Sequence, residues 1–340
     1  MLQRLINQYV EGNNNRLLDR NKPMAKVLAT DGLDPECVDI LLQEGHHVDL
    51  IHFERDELLG GAISGYDAII IRSATKVDSE VLSANMSPES RIRLIIRAGV
   101  GLDNIDLEKA LEFGILVKNT PTASTKAVVE FTIGHLLTGV RNITRADRAM
   151  RSAVWAKKSS TGTELSGKNL GLVGYGRISR GVAAVAKSLG MNVHVFDPFL
   201  EDDPTKDSDV IIHDSVESLF SSCTHISIHC ALTESTRGMV NYDLIQLMPD
   251  VSPDGMVCGR HIVNCARGGI LNESDAHKML DSGHIRSLGI DVFENEPEGN
   301  PALSSHPNVT STPHIGAATA ESQKRIGMEI VNLILSEFES

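Results

Sequence analysis

The stretch from Leu170 to Asp197 constrains the fold more than any other part of the chain. Leu170-Gly171-Leu172-Val173 is a short apolar run suited to a buried strand, and it meets Gly174-Tyr175-Gly176-Arg177-Ile178-Ser179. Behind the glycines, Ile178, Val182, Val185, Ala186 and Leu189 recur at helical spacing, and Val193-His194-Val195-Phe196 then reads as a second strand ending in Asp197. Strand, glycine turn, helix, strand and acid is the order of a dinucleotide-binding unit. Gly174 permits the tight turn. Gly176 lets the backbone approach a pyrophosphate at the helix N-terminus. Asp197 lies about 20 residues further on, where a carboxylate accepts from ribose hydroxyls and repels a 2′-phosphate. Pro198-Phe199 follows with no adjacent Arg or Lys, so the cofactor expected is NAD rather than NADP. Ser179 replaces the third glycine of the fingerprint, at a position that serves close helix–strand packing.

The rest of the chain keeps this strand–helix rhythm. Lys26–Ala29, Ala68–Ile71 and Arg93–Arg97 read as strands and Pro35–Glu44 as a helix. A long helix is expected from Ser124 to Met150, with Ser124 or Thr125 as N-cap, and a closing helix from Thr319 to Phe338. This predicts an α/β protein with two Rossmann-like or flavodoxin-like domains, parallel sheets, and a site in the cleft between them. The expected division is a polar N-terminal extension at 1–23, an outer domain at 24–120 plus 319–340, and a cofactor domain at 121–318.

Composition excludes several functions. With 340 residues and a net charge of −13, the chain lacks the basic surface that nucleic acid demands, and 4% aromatic content leaves little for base stacking. No run of 18 apolar residues suggests a membrane span. Five cysteines (Cys37, Cys223, Cys230, Cys258, Cys265) form no CxxC pair and read as reduced thiols of a cytoplasmic protein. The prefix Met1 to Pro23 has no compact apolar core of a signal peptide, although Arg4, Arg16, Arg20 and Lys22 outnumber Glu11 and Asp19. His225 and His229 would share one face of a strand without a third ligand, so no metal is expected. His46, His47 and His52 read as surface positions.

Three late segments place polar residues just past apolar strands, where open α/β sheets bind ligands. They are Asn264-Cys265-Ala266-Arg267-Gly268-Gly269, Asp291 to Glu296, and Thr312-Pro313-His314-Ile315-Gly316-Ala317. Together with Arg72–Val77 (RSATKV), Arg97–Asp106 (RAGVGLDNID), Gly114–Pro121 (GILVKNTP) and Gly162–Gly167 (GTELSG), they make the chain resemble the D-isomer-specific 2-hydroxyacid dehydrogenases over most of residues 25–335. Within that family the resemblance points to its phosphoglycerate-oxidising members.

The resemblance implies roles residue by residue. Arg267 would grip the substrate carboxylate, and Glu296 and His314 would form the acid–base pair. Backbone amides of Gly99 and Val100 would cradle the carboxylate opposite Arg267. Arg177 and Ile178 would lie along the pyrophosphate with Gly174 and Gly176. Cys230, Cys265, Ala266, Asp291, Gly316 and Ala317 would line the cofactor, alongside Val100, Arg267 and His314. Arg72, Ser73 and Arg97, at the ends of outer-domain strands, suit a phosphate, so the expected reaction is NAD-dependent oxidation of 3-phospho-D-glycerate to 3-phosphohydroxypyruvate. Other activities on this scaffold are glyoxylate or hydroxypyruvate reduction and nucleotide sensing by a corepressor-like module. The resemblance also implies a homodimer or higher homo-oligomer built on Ser124 to Gly167, and a small-molecule substrate with no nucleic-acid or membrane partner.

The chain departs from the family pattern beyond Ser179. Ala231 stands where Pro is usual, and Met248–Arg260 reads as a surface-loop insertion. The chain stops after the closing helix, so no C-terminal serine-binding domain is expected.

Overall fold

The computed structural model describes residues 24–200 and 209–338. The expected extension at 1–23 lies outside the described residues. The chain forms two compact units, one of 24–98, 104–119 and 327–338, the other of 99–103 and 120–326. This division runs through the closing helix, at Ile326/Gly327, and assigns the 99–103 loop to the second unit.

The first unit alternates β1 (Lys26–Ala29), α1 (Pro35–Gln43), β2 (His47–Asp49), α2 (Arg55–Leu59), β3 (Ala68–Ile71), α3 (Ser79–Asn85), β4 (Leu94–Arg97), α4 (Leu107–Glu112) and β5 (Leu116–Asn119). Its five strands are all parallel in the order β2-β1-β3-β4-β5. Helix starts are set by short acids: Asp34, Asp78 and Asp106 each accept a first-turn amide. Such a cap contributes about 1 kcal/mol. His46 differs from expectation. It is 8% exposed, its Nδ1 accepts from Ala25 N, and Phe338 packs on its ring edge. His47 and His52 are exposed.

The second unit begins with α5 (Thr125–Val140) and α6 (Ile143–Arg151). It continues through β6 (Asn169–Val173), α7 (Arg177–Ser188), β7 (Asn192–Phe196), β8 (Val210–Ile212), α8 (Val216–Ser222), β9 (His225–Ile228) and α9 (Tyr242–Gln246). It ends with β10 (His261–Asn264), α10 (Glu273–Asp281), β11 (Ser287–Ile290), α11 (Pro301–Ser305), β12 (Val309–Ser311) and the start of α12 (Ala320–Phe338). Its parallel strands run β12-β11-β10-β9-β6-β7-β8. Every residue of β9, β10 and β11 is buried, as expected when helices cover both faces of a parallel sheet. Successive strand residues serve opposite cores. Leu170, Leu172 and Val263 join the cluster under α5 and α7, whereas Val173, Ile262 and Ile290 join the cluster under α8 to α11. Full burial of one such side chain contributes roughly 1.5–3 kcal/mol.

The single helix expected over Ser124–Met150 is two. Asn142 adopts a left-handed conformation (φ 54°), which a short polar side chain tolerates, and its Nδ2 donates to Thr161 O. Thr163 N caps the Val140 carbonyl, and Gly162 passes so close that a Cβ would lie 2.1 Å from Val140 O. Ser124 is the N-cap but its hydroxyl caps nothing. In α7 the buried face is Ser179, Val182, Ala183 and Ala186; Val185 and Leu189 lie 37% and 38% exposed on its flank. The Met248–Arg260 segment is tied down rather than loose. Val251 bridges Val257, Arg260 Nε donates to Met248 O, and the buried Lys168 ammonium meets Asp254 at 2.7 Å.

Candidate active site

Strand register brings the polar residues of the second unit into one row. Val173 pairs with both Phe196 and Ile228, Ile228 with Asn264, Asn264 with Ile290, and Ile290 with Ser311. The next residue on each strand is therefore Gly174, Asp197, His229, Cys265, Asp291 or Thr312, all along the carboxyl edge of one parallel sheet. Strand order reverses between β6 and β9, and at such a switch point the loops diverge to leave a crevice.

The glycine turn sits at that point. Gly174 has φ +90°, and a Cβ there would lie 2.9 Å from Cys230 N, so only glycine fits. Gly176 is the extended N-cap of α7 and opens onto free space, leaving the first-turn amides bare for an anion. Asp197 accepts from Tyr175 N (2.8 Å) and Phe199 N (2.9 Å), which fixes its carboxylate beside the turn. Arg177 is exposed and Ile178 half-buried, while Ser179 is fully buried with its Oγ unpartnered. A cradle that a Cβ would fill, a bare helix start and a fixed acid fit a dinucleotide. Burial pushes the Cys230 thiol up to about 11 and raises Cys265 further, so both stay protonated and apolar.

Arg267, three residues past β10, is held over the 99–103 loop. Its Nε donates to Asp103 Oδ1 (2.9 Å) and its Nη1 to Ala266 O (2.6 Å). Gly101 makes room: a Cβ there would lie 1.7 Å from Arg267 Nη2. Gly99, at φ 150°, receives Thr120 N on its carbonyl, and Val100 beside it is 38% exposed.

His314 and Glu296 meet at 2.7 Å between Nδ1 and Oε2. Burial opposes ionisation of Glu296, but the His314 hydrogen bond and charge, the Phe293 amide and the Arg267 charge together outweigh it and hold the carboxyl below its ordinary value. A carboxylate only accepts, so His314 donates from Nδ1 and its Nε2 carries the lone pair when the ring is neutral. Glu296 is itself held by Phe293 N on Oε1. His314 has φ +54°, a strained conformation for a histidine. Asp291 holds it there. Its main-chain oxygen accepts from His314 N, Oδ1 from Ile315 N and Thr312 Oγ1, and Oδ2 from Gly316 N. Ala317 follows on the same turn.

In the first unit, Arg72 follows β3 and Arg97 ends β4, and register sets Ile71 beside Arg97. Arg72 N and Thr75 both donate to Asp31, and Asn104 Nδ2 binds the Arg72 carbonyl. Burial pulls the Arg72 guanidinium below its ordinary value, with Asp31 opposing, and its buried Nε has no partner. Ser73 is exposed. Sequence reasoning missed Asp31 and gave no role to Asp103 or to Thr312, the first residue of the third polar segment. Asp103 sat in view within RAGVGLDNID, but nothing in the string pairs it with Arg267.

Comparisons with known proteins identify the family. A family model described as D-isomer specific 2-hydroxyacid dehydrogenase, NAD binding domain, matches residues 133–316. The chain is 41% identical to a hydroxypyruvate reductase of Thermotoga maritima over 92% of its own length and 98% of that relative's. It is 37% identical to a D-3-phosphoglycerate dehydrogenase of Methanocaldococcus jannaschii over 92% of its length, but spans only 57% of that relative. Among solved structures it is similar to a D-lactate dehydrogenase from Aquifex aeolicus complexed with NAD and lactic acid, with a TM-score of 0.79, 26% identity, and coverage of 92% and 95% of the two chains. Among the described residues no helix is long and apolar enough to cross a membrane.

Proposed function

The chain belongs to the D-isomer-specific 2-hydroxyacid dehydrogenase family and is an NAD-dependent oxidoreductase, and from that premise we propose that it interconverts 3-phospho-D-glycerate and 3-phosphohydroxypyruvate. The observation that carries the acid–base assignment is the 2.7 Å contact of His314 Nδ1 with Glu296. NAD, when bound, supplies the acceptor for the hydride that leaves C2. His314 Nε2 takes the hydroxyl proton in that direction and returns it in the other. Glu296 keeps Nδ1 protonated and stabilises the imidazolium. Arg267 binds the carboxylate and the C2 oxygen, with Gly99 and Val100 amides opposite. Asp197 takes the adenosine ribose; Gly174, Gly176, Arg177 and Ile178 serve the pyrophosphate. Cys230, Cys265, Ala266, Asp291, Gly316 and Ala317 flank the nicotinamide side. Apart from Gly99 and Val100, these residues fall within a cofactor domain assigned to 121–318.

The phosphate is assigned to Arg72, Ser73 and Arg97 of the outer domain. The buried, unpartnered Arg72 Nε, one residue past the strand position that pairs with Arg97, supports this, because an anion would satisfy a donor otherwise left unpaired. A second reading, hydroxypyruvate reduction, is favoured by the near-complete mutual coverage with the Thermotoga relative. Steady-state reduction of 3-phosphohydroxypyruvate, hydroxypyruvate and glyoxylate separates the two. The phosphate reading expects at least a tenfold higher kcat/KM for the phosphorylated acid; equal or reversed preference assigns the activity to the second reading. Oligomerisation is assigned to the α6 region. That helix buries none of its residues, and Ile143, Met150, Val154 and Trp155 are exposed.

A further inference from the structure

A buried histidine lies behind this site and has no part in the reaction as derived. His135, on α5, is 5% exposed. Its Nε2 lies 3.3 Å from Thr312 Oγ1, and Thr312 Oγ1 donates to Asp291 Oδ1 at 2.6 Å. Phe131 packs edge-on against the ring, and Gly289 of β11 makes room for it: a Cβ there would lie 2.8 Å from His135 Nδ1. We propose that His135 is a positioning residue for the acid–base pair, acting through Thr312 and Asp291 on the turn that carries His314.

Hydrogen-bond direction carries the argument. Thr312 gives its one proton to Asp291, so toward His135 it can only accept. His135 must then donate from Nε2. Its Nδ1, buried against Gly289 with no partner, holds the lone pair, the arrangement that strands no N–H. Burial also pulls His135 below its ordinary pKa, with Asp291 opposing, which suits a neutral ring. The chain His135 Nε2–H to Thr312 O–H to Asp291 is thus one-directional, and it locks a hydroxyl rotor. Asp291 in turn holds His314 N, Ile315 N and Gly316 N, the amides that keep His314 at φ +54°. Without the imidazole, Thr312 loses the donor that aims it, and the turn gains freedom where the proton is transferred.

The inference rests on His314 as the acid–base group, so the test includes His314→Ala. His135→Phe fills the space without a donor, and His135→Gln restores one. Loss of one neutral hydrogen bond predicts a fall in kcat of about fivefold in His135→Phe with unchanged KM, largely recovered in His135→Gln. Thr312→Val should fall by at least as much and Thr312→Ser stay near wild type, with melting temperatures confirming folded protein. Nitrogen NMR of histidine-labelled protein should give His135 the Nε2–H tautomer, a readout that needs no turnover. An Nδ1–H or doubly protonated His135, or equal losses in the Phe and Gln variants, overturns the inference, as does an unchanged kcat in His135→Phe. Full activity in His314→Ala overturns the acid–base reading itself, and the inference with it.

Discussion

Gly101→Ala separates placement of Arg267 from stability. The new Cβ would sit 1.7 Å from Arg267 Nη2, 2.5 Å from its Cζ and 2.5 Å from Asp103 Oδ1. Carbon–nitrogen contacts need about 3.5 Å, so the guanidinium must retreat by roughly 2 Å. Gly101 is not among the glycines with positive φ, so alanine suits its backbone. The yielding atoms are the end of a flexible side chain, and the Asp103 partner is 42% exposed, so the fold should lose less than about 1 kcal/mol. Binding of the carboxylate is another matter. Losing one charge-assisted contact costs about 1.5–3 kcal/mol, which is roughly 10- to 150-fold in kcat/KM. The measurements are kcat/KM for 2-oxo acid reduction, NADH affinity by fluorescence, and melting temperature. The expected pattern is a large loss in kcat/KM with affinity for NADH and melting nearly unchanged. Gly268→Ala is the contrast, because its Cβ would meet the Phe293 carbonyl at 1.7 Å, where main chain cannot swing aside, and it should melt lower. A Gly101→Ala enzyme within twofold of wild type in kcat/KM would refute the placement of the substrate carboxylate on Arg267.

Three other outcomes are expected. Asp197→Ala should raise KM for NAD and narrow the preference over NADP; an unchanged preference removes Asp197 from the ribose. Arg72→Ala should lower kcat/KM for the phosphorylated acid roughly 10- to 150-fold while sparing hydroxypyruvate, and equal losses on both would make Arg72 structural. His261, 2% exposed and stacked on His225, is pushed down to about 4 by burial, with the Cys258 carbonyl opposing. Its unfolded form binds the proton first, so the stability it contributes is full above pH 6.5 and lost as pH falls toward 4, by up to about 3 kcal/mol. Melting scans across that window should be steeper for wild type than for His261→Asn, and parallel curves would dismiss the assignment.

What could be read from the sequence was local. The glycine turn, its acid and the strand-end positions of Arg267, Asp291 and His314 each sit within a few residues of the pattern that announces them. Asp103 and Arg267 are 164 residues apart and meet only through folding. The break at Asn142 escaped notice because Arg141-Asn142 carries neither proline nor glycine, and the cap it needs comes from Thr161 to Thr163. Val185 and Leu189 fit the same helical period as Val182 and Ala186, and only packing decides which flank is covered. His46 looks polar and external beside His47; its cover, Phe338, comes from the far end of the chain.

That last contact bears on how the protein is made. Unit one is completed by 327–338, translated after all of unit two. Gly327 packs where a Cβ would strike Cys37 Sγ, Ile330, Ile334 and Phe338 are buried, and Arg93 lies over the Phe338 ring. On a ribosome adding about 5–20 residues per second, the sheet of β1 to β5 waits roughly 10–40 s for these side chains. Through that interval unit two emerges and can fold while the apolar seat around Cys37 stays open. The sheet of β1 to β5 is therefore the part of the nascent chain that stays uncovered until the closing segment has emerged.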